Sequence, residues 1–72
     1  MHNRIRDLRE DNDVTQEKLS DLLNCKQQTY SNYENGKREI PYELLIKLAE
    51  FYNTSTDYLL GITDIKDPYP KR

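Results

Sequence analysis

Residues 26–38 read KQQTYSNYENGKR, and winding them as a helix sorts their side chains by chemistry. At about 100° per residue, Gln27, Ser31, Asn35, Gln28 and Asn32 fall within one arc of roughly 140°. All five are polar and none is charged. Solvated helix faces more usually carry Lys and Glu, which keep rotamer freedom and solubility. A side-chain amide donates and accepts at once, so Asn or Gln can bind an adenine edge in the major groove through two hydrogen bonds. Thr29, Tyr33, Tyr30 and Glu34 fill the opposite arc, where the tyrosines supply an inward contact. A bland polar surface helix fits the same wheel, so the choice depends on the neighbouring segments.

Those segments read as short helices. From Arg4 to Glu10, Ile5 and Leu8 lie three apart with charges between them, as on a short amphipathic helix, and EDND then interrupts it. Thr15 suits the N-cap of a second helix carrying Leu19, Leu22 and Leu23, with Glu17 in the first turn; Asn24 suits a left-handed stop. The third segment starts at Lys26 and stops at Gly36. Pro41 suits the first turn of a fourth helix, YELLIKLAEFY. That helix places Tyr42, Leu45, Leu48, Ala49 and Tyr52 on one face, with Leu44, Ile46 and Phe51 in surplus. Thr54 or Ser55 caps a fifth, carrying Leu59 and Leu60 and ending at Gly61. Strand-like alternation is nowhere evident, so the spacing predicts an all-α fold of five short helices over 1–61, with 62–72 as an extended tail.

Two adjacent short helices of this kind, Thr15 to Leu23 and Lys26 or Gln27 to Asn35, form a helix-turn-helix when both turn apolar faces to a third element. The second would enter a groove with its N-terminal side chains nearest the bases. Lys26 at its start, and Lys37 and Arg38 just past its end, would flank the groove. Glu34 is the one acid within the stretch, and an inward pairing with Arg9 leaves the local face net positive.

Bulk composition narrows the function. At 72 residues, 35% hydrophobic and 33% charged, the chain can hold one small domain with little room for a deep cleft. The formal charge of −2 argues mildly against nucleic acid, since phosphate binding relies on Lys and Arg. No apolar run or signal-like start is present, so a soluble cytoplasmic protein is expected. The single Cys precludes an internal disulfide, and Cys25 reads as a buried core thiol. With one His and one Cys no zinc set is expected, and His2 is expected to be disordered. EDND lacks the Gly and distal Glu of a calcium loop. No nucleophile–base trio or Gly-rich phosphate loop is suggested, so neither an enzyme nor a cofactor is expected.

Taken in order, IRDLRE, VTQEKLSDLL, TYSNYENGKREIP and ELLIKLAEFYNTSTDYLLG resemble the lambda-repressor-like, Cro/CI-type helix-turn-helix proteins of the XRE family, over about Arg4 to Gly61. The resemblance implies a double-stranded DNA-binding transcriptional regulator, a repressor rather than an activator. It implies base contacts from Gln27, Gln28 and Asn32. Backbone contacts would come from Gln16, Thr29, Ser31, Asn35, Lys37 and Arg38, with Gln16 also bracing the groove-entering helix; Lys26 joins them on its own position and charge. Arg9 and Glu34 match a structural salt bridge of the family. Ser20, Asn24 and Lys26 depart from its pattern, where Ala, Gly and a hydroxyl cap are usual; Ser20 can bond its own helix carbonyl, whereas Lys26 cannot cap.

A single such module buries too little surface for tight specific binding. The surplus apolar residues, Phe51, Leu60 and Ile62 with the tail, therefore suggest a homodimer on a pseudo-palindromic operator, although the tail could instead fold back on its own domain. The competing class is a protein-interaction module of the same fold without DNA binding, antitoxin-like or a partner-binding subunit, which the acidic balance favours. Salt-dependent binding to duplex DNA separates the two.

Overall fold

The computed structural model describes residues 4–68; His2 and the last four residues of the tail lie outside that range. Its helices are α1 (Ile5–Asp11), α2 (Gln16–Leu22), α3 (Gln27–Glu34), α4 (Tyr42–Phe51) and α5 (Thr56–Leu59). No strand occurs among the described residues. The all-α expectation holds, with shifts of a residue or two at the ends.

How the helices stop explains why so short a chain can hold five of them. Asp13, Asn24, Gly36, Asn53 and Gly61 all have left-handed φ, between +53° and +78°. After each helix the same pair of bonds closes the last turn, as when Val14 N–H reaches the Arg9 carbonyl and Asp13 N–H that of Glu10. This double bond satisfies carbonyls that a helix end otherwise leaves unpaired. Asn24, Gly36 and Gly61 were legible as stops, because Gly and Asn tolerate that conformation. The starts are capped unevenly. Thr15 Oγ1 accepts Lys18 N–H at 3.1 Å and Ser55 Oγ accepts Tyr58 N–H at 3.0 Å.

Ile5, Leu8, Leu19, Leu23, Tyr30, Tyr33, Leu45, Leu48, Ala49 and Leu59 form one core, drawing on every helix or its cap. Ser20 is buried among them and bonds the Glu17 carbonyl at 2.8 Å, the local satisfaction expected of it. Several expectations need correction. Leu22 is 38% exposed, because the helix ends there and Leu23 turns inward as its C-cap instead. Tyr42 is 71% exposed, and Leu44 packs against the core in its place. Pro41 lies just outside α4 as its cap, with extended ψ of 145°, and its carbonyl accepts Leu44 and Leu45 N–H. Of the two expected candidates for the cap of α5, it is Ser55 that fills the place. Cys25 is only partly buried, at the edge of the core, where burial pushes its thiol pKa up.

The tail is held to the domain. Arg4, stacked 4.4 Å over the Tyr58 ring, donates to the Thr63 carbonyl at 2.9 Å and to Asp64 Oδ1 at 2.8 Å. Farther on, the buried Thr54 donates its hydroxyl to the Lys66 carbonyl. Residues 63–66 thus lie back against the start of α1 and the α4–α5 junction.

The buried Tyr52 hydroxyl has no hydrogen-bond partner among the described residues. Burial pushes the Tyr52 phenol up to about 12. An unsatisfied buried hydroxyl costs stability. Tyr52→Phe is therefore expected to stabilise the fold by about 1 kcal/mol, read as a higher urea midpoint at unchanged m; a lower midpoint would show that the hydroxyl is satisfied.

Candidate nucleic-acid interface

Helices α2 and α3 are joined by the turn Leu23–Lys26, where Asn24 takes the left-handed conformation. Buried Leu19 and Leu23 on one side, and Tyr30 and Tyr33 on the other, hold the pair against the shared core. With its aromatic side committed inward, α3 has only the amide side left to show. Gln27, Gln28 and Asn35 are exposed; Thr29, Ser31 and Asn32 are half-buried beside them.

The amides are partly pre-organised. Gln28 Nε2 donates to Asn32 Oδ1 at 3.1 Å, one turn along, and Asn35 Nδ2 to Ser31 Oγ at 3.4 Å. Gln27 has no side-chain bond to any described residue, so its amide retains full donor and acceptor capacity. At the N-terminus Lys26 is the cap residue, with extended ψ of 149° and no side-chain cap bond. The first N–H groups of α3 are thus left to solvent or to an external acceptor.

Behind the amide side, Glu34 is fully enclosed, with 0% side-chain exposure. Arg9 grips it with two bonds, Nε to Oε2 at 2.6 Å and Nη2 to Oε1 at 3.2 Å. Gln16 Nε2 adds a third at 3.1 Å to Oε1, so α1 and the first turn of α2 are both tied to the end of α3. Burial by itself would push this carboxyl up. The Arg9 guanidinium, the neighbouring Tyr30 hydroxyl and Gln16 outweigh it and hold the pKa below the usual carboxylate range.

The electrostatic result is local. With Glu34 enclosed and paired, every exposed charge between residues 26 and 38 is positive: Lys26, Lys37 and Arg38. Gly36 sends the chain from α3 into this basic loop, and Lys37 and Arg38 N–H both bond the Asn32 carbonyl. An added Cβ on Gly36 would meet nothing within 4 Å, so its φ of +74°, not crowding, is what favours glycine there.

One residue escaped the sequence reading. Arg6 on α1 reaches across to α3, donating Nη2 to Asn35 Oδ1 with Nε 3.5 Å from Glu34 Oε1. The signal available was its spacing, three residues before Arg9 and so on the same side of α1.

Fold and geometry together define a helix-turn-helix domain, with α3 as its outward-facing second helix. The sequence pattern of the helix-turn-helix family matches residues 5–59, and the chain belongs to that family. It is 36% identical over 69 residues to "Uncharacterized HTH-type transcriptional regulator YobD" of Bacillus subtilis, covering 96% of this chain and 62% of the relative. It is 37% identical over 62 residues to "HTH-type transcriptional regulator ImmR" of the same organism, covering 86% of the chain and 49% of that protein. Identity to "Cryptic phage CTXphi transcriptional repressor RstR" of Vibrio cholerae is 39% over 49 residues, covering 68% and 44%. The chain thus spans about half of the length of these relatives, from 44% to 62%. A transcriptional regulator from Listeria innocua has the same fold, with a TM-score of 0.78 at 24% identity, covering 94% of this chain and 62% of the other. No helix among the described residues is long and apolar enough to cross a membrane.

Proposed function

We propose that this chain is the DNA-reading unit of a transcriptional regulator, of repressor sign, that lays α3 in the major groove of double-stranded DNA. One observation carries the proposal. The outward side of α3 is built of uncharged amides and hydroxyls, while exposed cations stand at both of its ends. Eight residues of helix span about 12 Å, close to the width of the major groove. Lys26 thus stands near one phosphate wall, and Lys37 and Arg38 near the other.

In this role Gln27, Gln28 and Asn32 contact base edges. Gln16, Lys26, Thr29, Ser31, Asn35, Lys37 and Arg38 face the sugar-phosphate backbone. The bond between Gln28 and Asn32 directs one amide proton along the helix to Asn32 and leaves Gln28 an acceptor and a second donor, the set that adenine requires. The repressor sign draws on RstR, which is named a transcriptional repressor. A cytoplasmic, nucleoid-associated location follows from the role. So does action as a homodimer on a pseudo-palindromic operator, since one such module buries little surface. Phe51, 40% exposed and edge-on to Tyr52, Ile62 at 66% and the partly buried Leu60 are the candidate contacts between copies. Residues 1–61 would form the DNA-binding domain, with the tail beyond.

Replacement of single side chains tests the assignment. Gln28→Ala is expected to cost about 1–3 kcal/mol on the preferred duplex and to relax preference at one base pair. Lys37→Ala is expected to weaken all duplexes evenly and to make the salt dependence shallower by about one contact. Competition titrations over a panel of single-base variants measure both. An even loss with Gln28→Ala would move that residue from the bases to the backbone.

A further inference from the structure

Glu34 does not need Arg6. Arg9 holds both of its carboxylate oxygens, one at 2.6 Å, and Gln16 adds a third bond, whereas Arg6 Nε stands 3.5 Å away. One enclosed negative charge is already matched by one guanidinium, so the charge of Arg6 is surplus at this corner. It is also accessible: 48% of the Arg6 side chain is exposed, against 17% for Arg9. Its reach is directed, through Nη2, to the carbonyl oxygen of the Asn35 side chain, on the cap residue at the end of α3 and two positions before Lys37.

Arginine only donates, so the Asn35 atom facing it must be Oδ1, and the Nδ2 donors turn the other way. One of them lies 3.4 Å from Ser31 Oγ. Phosphate oxygens only accept. An Asn35 amide held in this sense therefore presents donors to a phosphate, whereas the flipped amide would present a repulsive carbonyl oxygen.

On the reading that α3 enters a DNA groove, we propose that Arg6 is the backbone-gripping residue contributed by α1. It orients the Asn35 amide with its donors toward the phosphates, and its own guanidinium adds a phosphate contact beside Lys37 and Arg38. Helix α1 then belongs to the DNA-binding surface through Arg6 and to the domain interior through Arg9, one turn apart.

The test is the slope of log affinity against log salt for a duplex recovered by the wild-type protein, measured for wild type, Arg6→Ala, Arg6→Lys and Asn35→Ala. Each neutralised phosphate contributes about 0.9 to that slope on duplex DNA. Arg6→Ala is expected to reduce it by about that amount at unchanged base preference, and Arg6→Lys to restore it. Asn35→Ala, which removes no charge, should weaken binding without changing the slope. Because Asn35 depends on Arg6, the double replacement should lose less than the product of the two single fold-changes. Thermal unfolding of each variant controls for stability, and Arg6→Lys retains a cation should Arg6→Ala fold poorly. A wild-type slope for Arg6→Ala, or multiplicative losses in the double variant, would overturn the role of Arg6 while leaving α3 as the reading helix. Absence of salt-dependent binding by the wild-type protein would instead remove the DNA reading itself, and this proposal with it.

Discussion

Arg9→Ala is expected to lower the unfolding free energy by about 3 kcal/mol, the low end of the range for breaking a buried ion pair. The low end applies because Gln16 remains at 3.1 Å from Glu34 and Arg6 at 3.5 Å. The loss is large because the Glu34 carboxylate, with 0% side-chain exposure, cannot regain water when its main partner goes. In a domain of this size it would consume most of the net stability. Equilibrium urea unfolding at neutral pH measures it, and a change of only a few tenths of a kcal/mol would show that the pair is solvent-screened.

The same pair sets a pH signature. The folded pKa of Glu34 lies below its unfolded value, so its contribution is present above the unfolded value of about 4.3 and is lost as pH falls through the lower folded one. Without Arg9, burial acts with weaker opposition and the folded pKa rises. The stability gap between wild type and Arg9→Ala should therefore be widest at neutral pH and narrow below about pH 4.

Tyr30→Ala is expected to cost about 3–5 kcal/mol, the range for emptying a large buried aromatic site. The Tyr30 side chain has 0% exposure and is the largest fully buried one among the described residues. It also sets the direction of α3: with Tyr30 and Tyr33 inside, the amides can only face out. Tyr30→Phe keeps the ring and removes only the hydroxyl beside Glu34, so it should cost far less, about 1 kcal/mol. Unfolding curves for the two variants separate ring from hydroxyl, and equal losses would contradict anchoring by the ring.

These two residues also show how much of the fold is written locally in the chain. The inward turn of Tyr30 follows from a wheel, because apolar and amide residues segregate at helical spacing. The stops at Asn24, Gly36 and Gly61 follow from residue type. Asp13 and Asn53 take the same left-handed turn, yet each lies in a polar run where several residues could have done so. Leu22 and Tyr42 miscarried for one reason: periodicity treats a helix as endless, while burial at its ends depends on where the chain turns. Among contacts between distant residues, the Arg9–Glu34 pair was expected and is present, whereas those of the tail and of Arg6 were out of reach. The bond from Arg4 to the Thr63 carbonyl joins positions 59 apart, and nothing in 62–72 marks it as a strap and not a free tail. Arg6 was hidden similarly, since its meaning lies in Asn35, at the end of another helix.

Net charge misleads for a related reason. The chain has a formal charge of −2 and pI near 5.3, which taken whole speaks against a polyanionic partner. The fold makes that average uninformative. It encloses Glu34 against Arg9 and leaves only Lys26, Lys37 and Arg38 exposed as charges between residues 26 and 38. Long-range repulsion is screened over about 10 Å at 0.1 M salt, so the nearby cations dominate the field at the ends of α3.

Whether the amide side of α3 reads bases is tested most directly by selecting bound duplexes from a random pool with the wild-type protein. Base reading by these amides predicts recovery of a two-fold-related sequence with half-sites about 34 Å apart, one helical turn, and a base preference that Gln28→Ala relaxes at one position in each half. Recovery of the input pool unchanged, with no salt-dependent binding to any duplex, would contradict it.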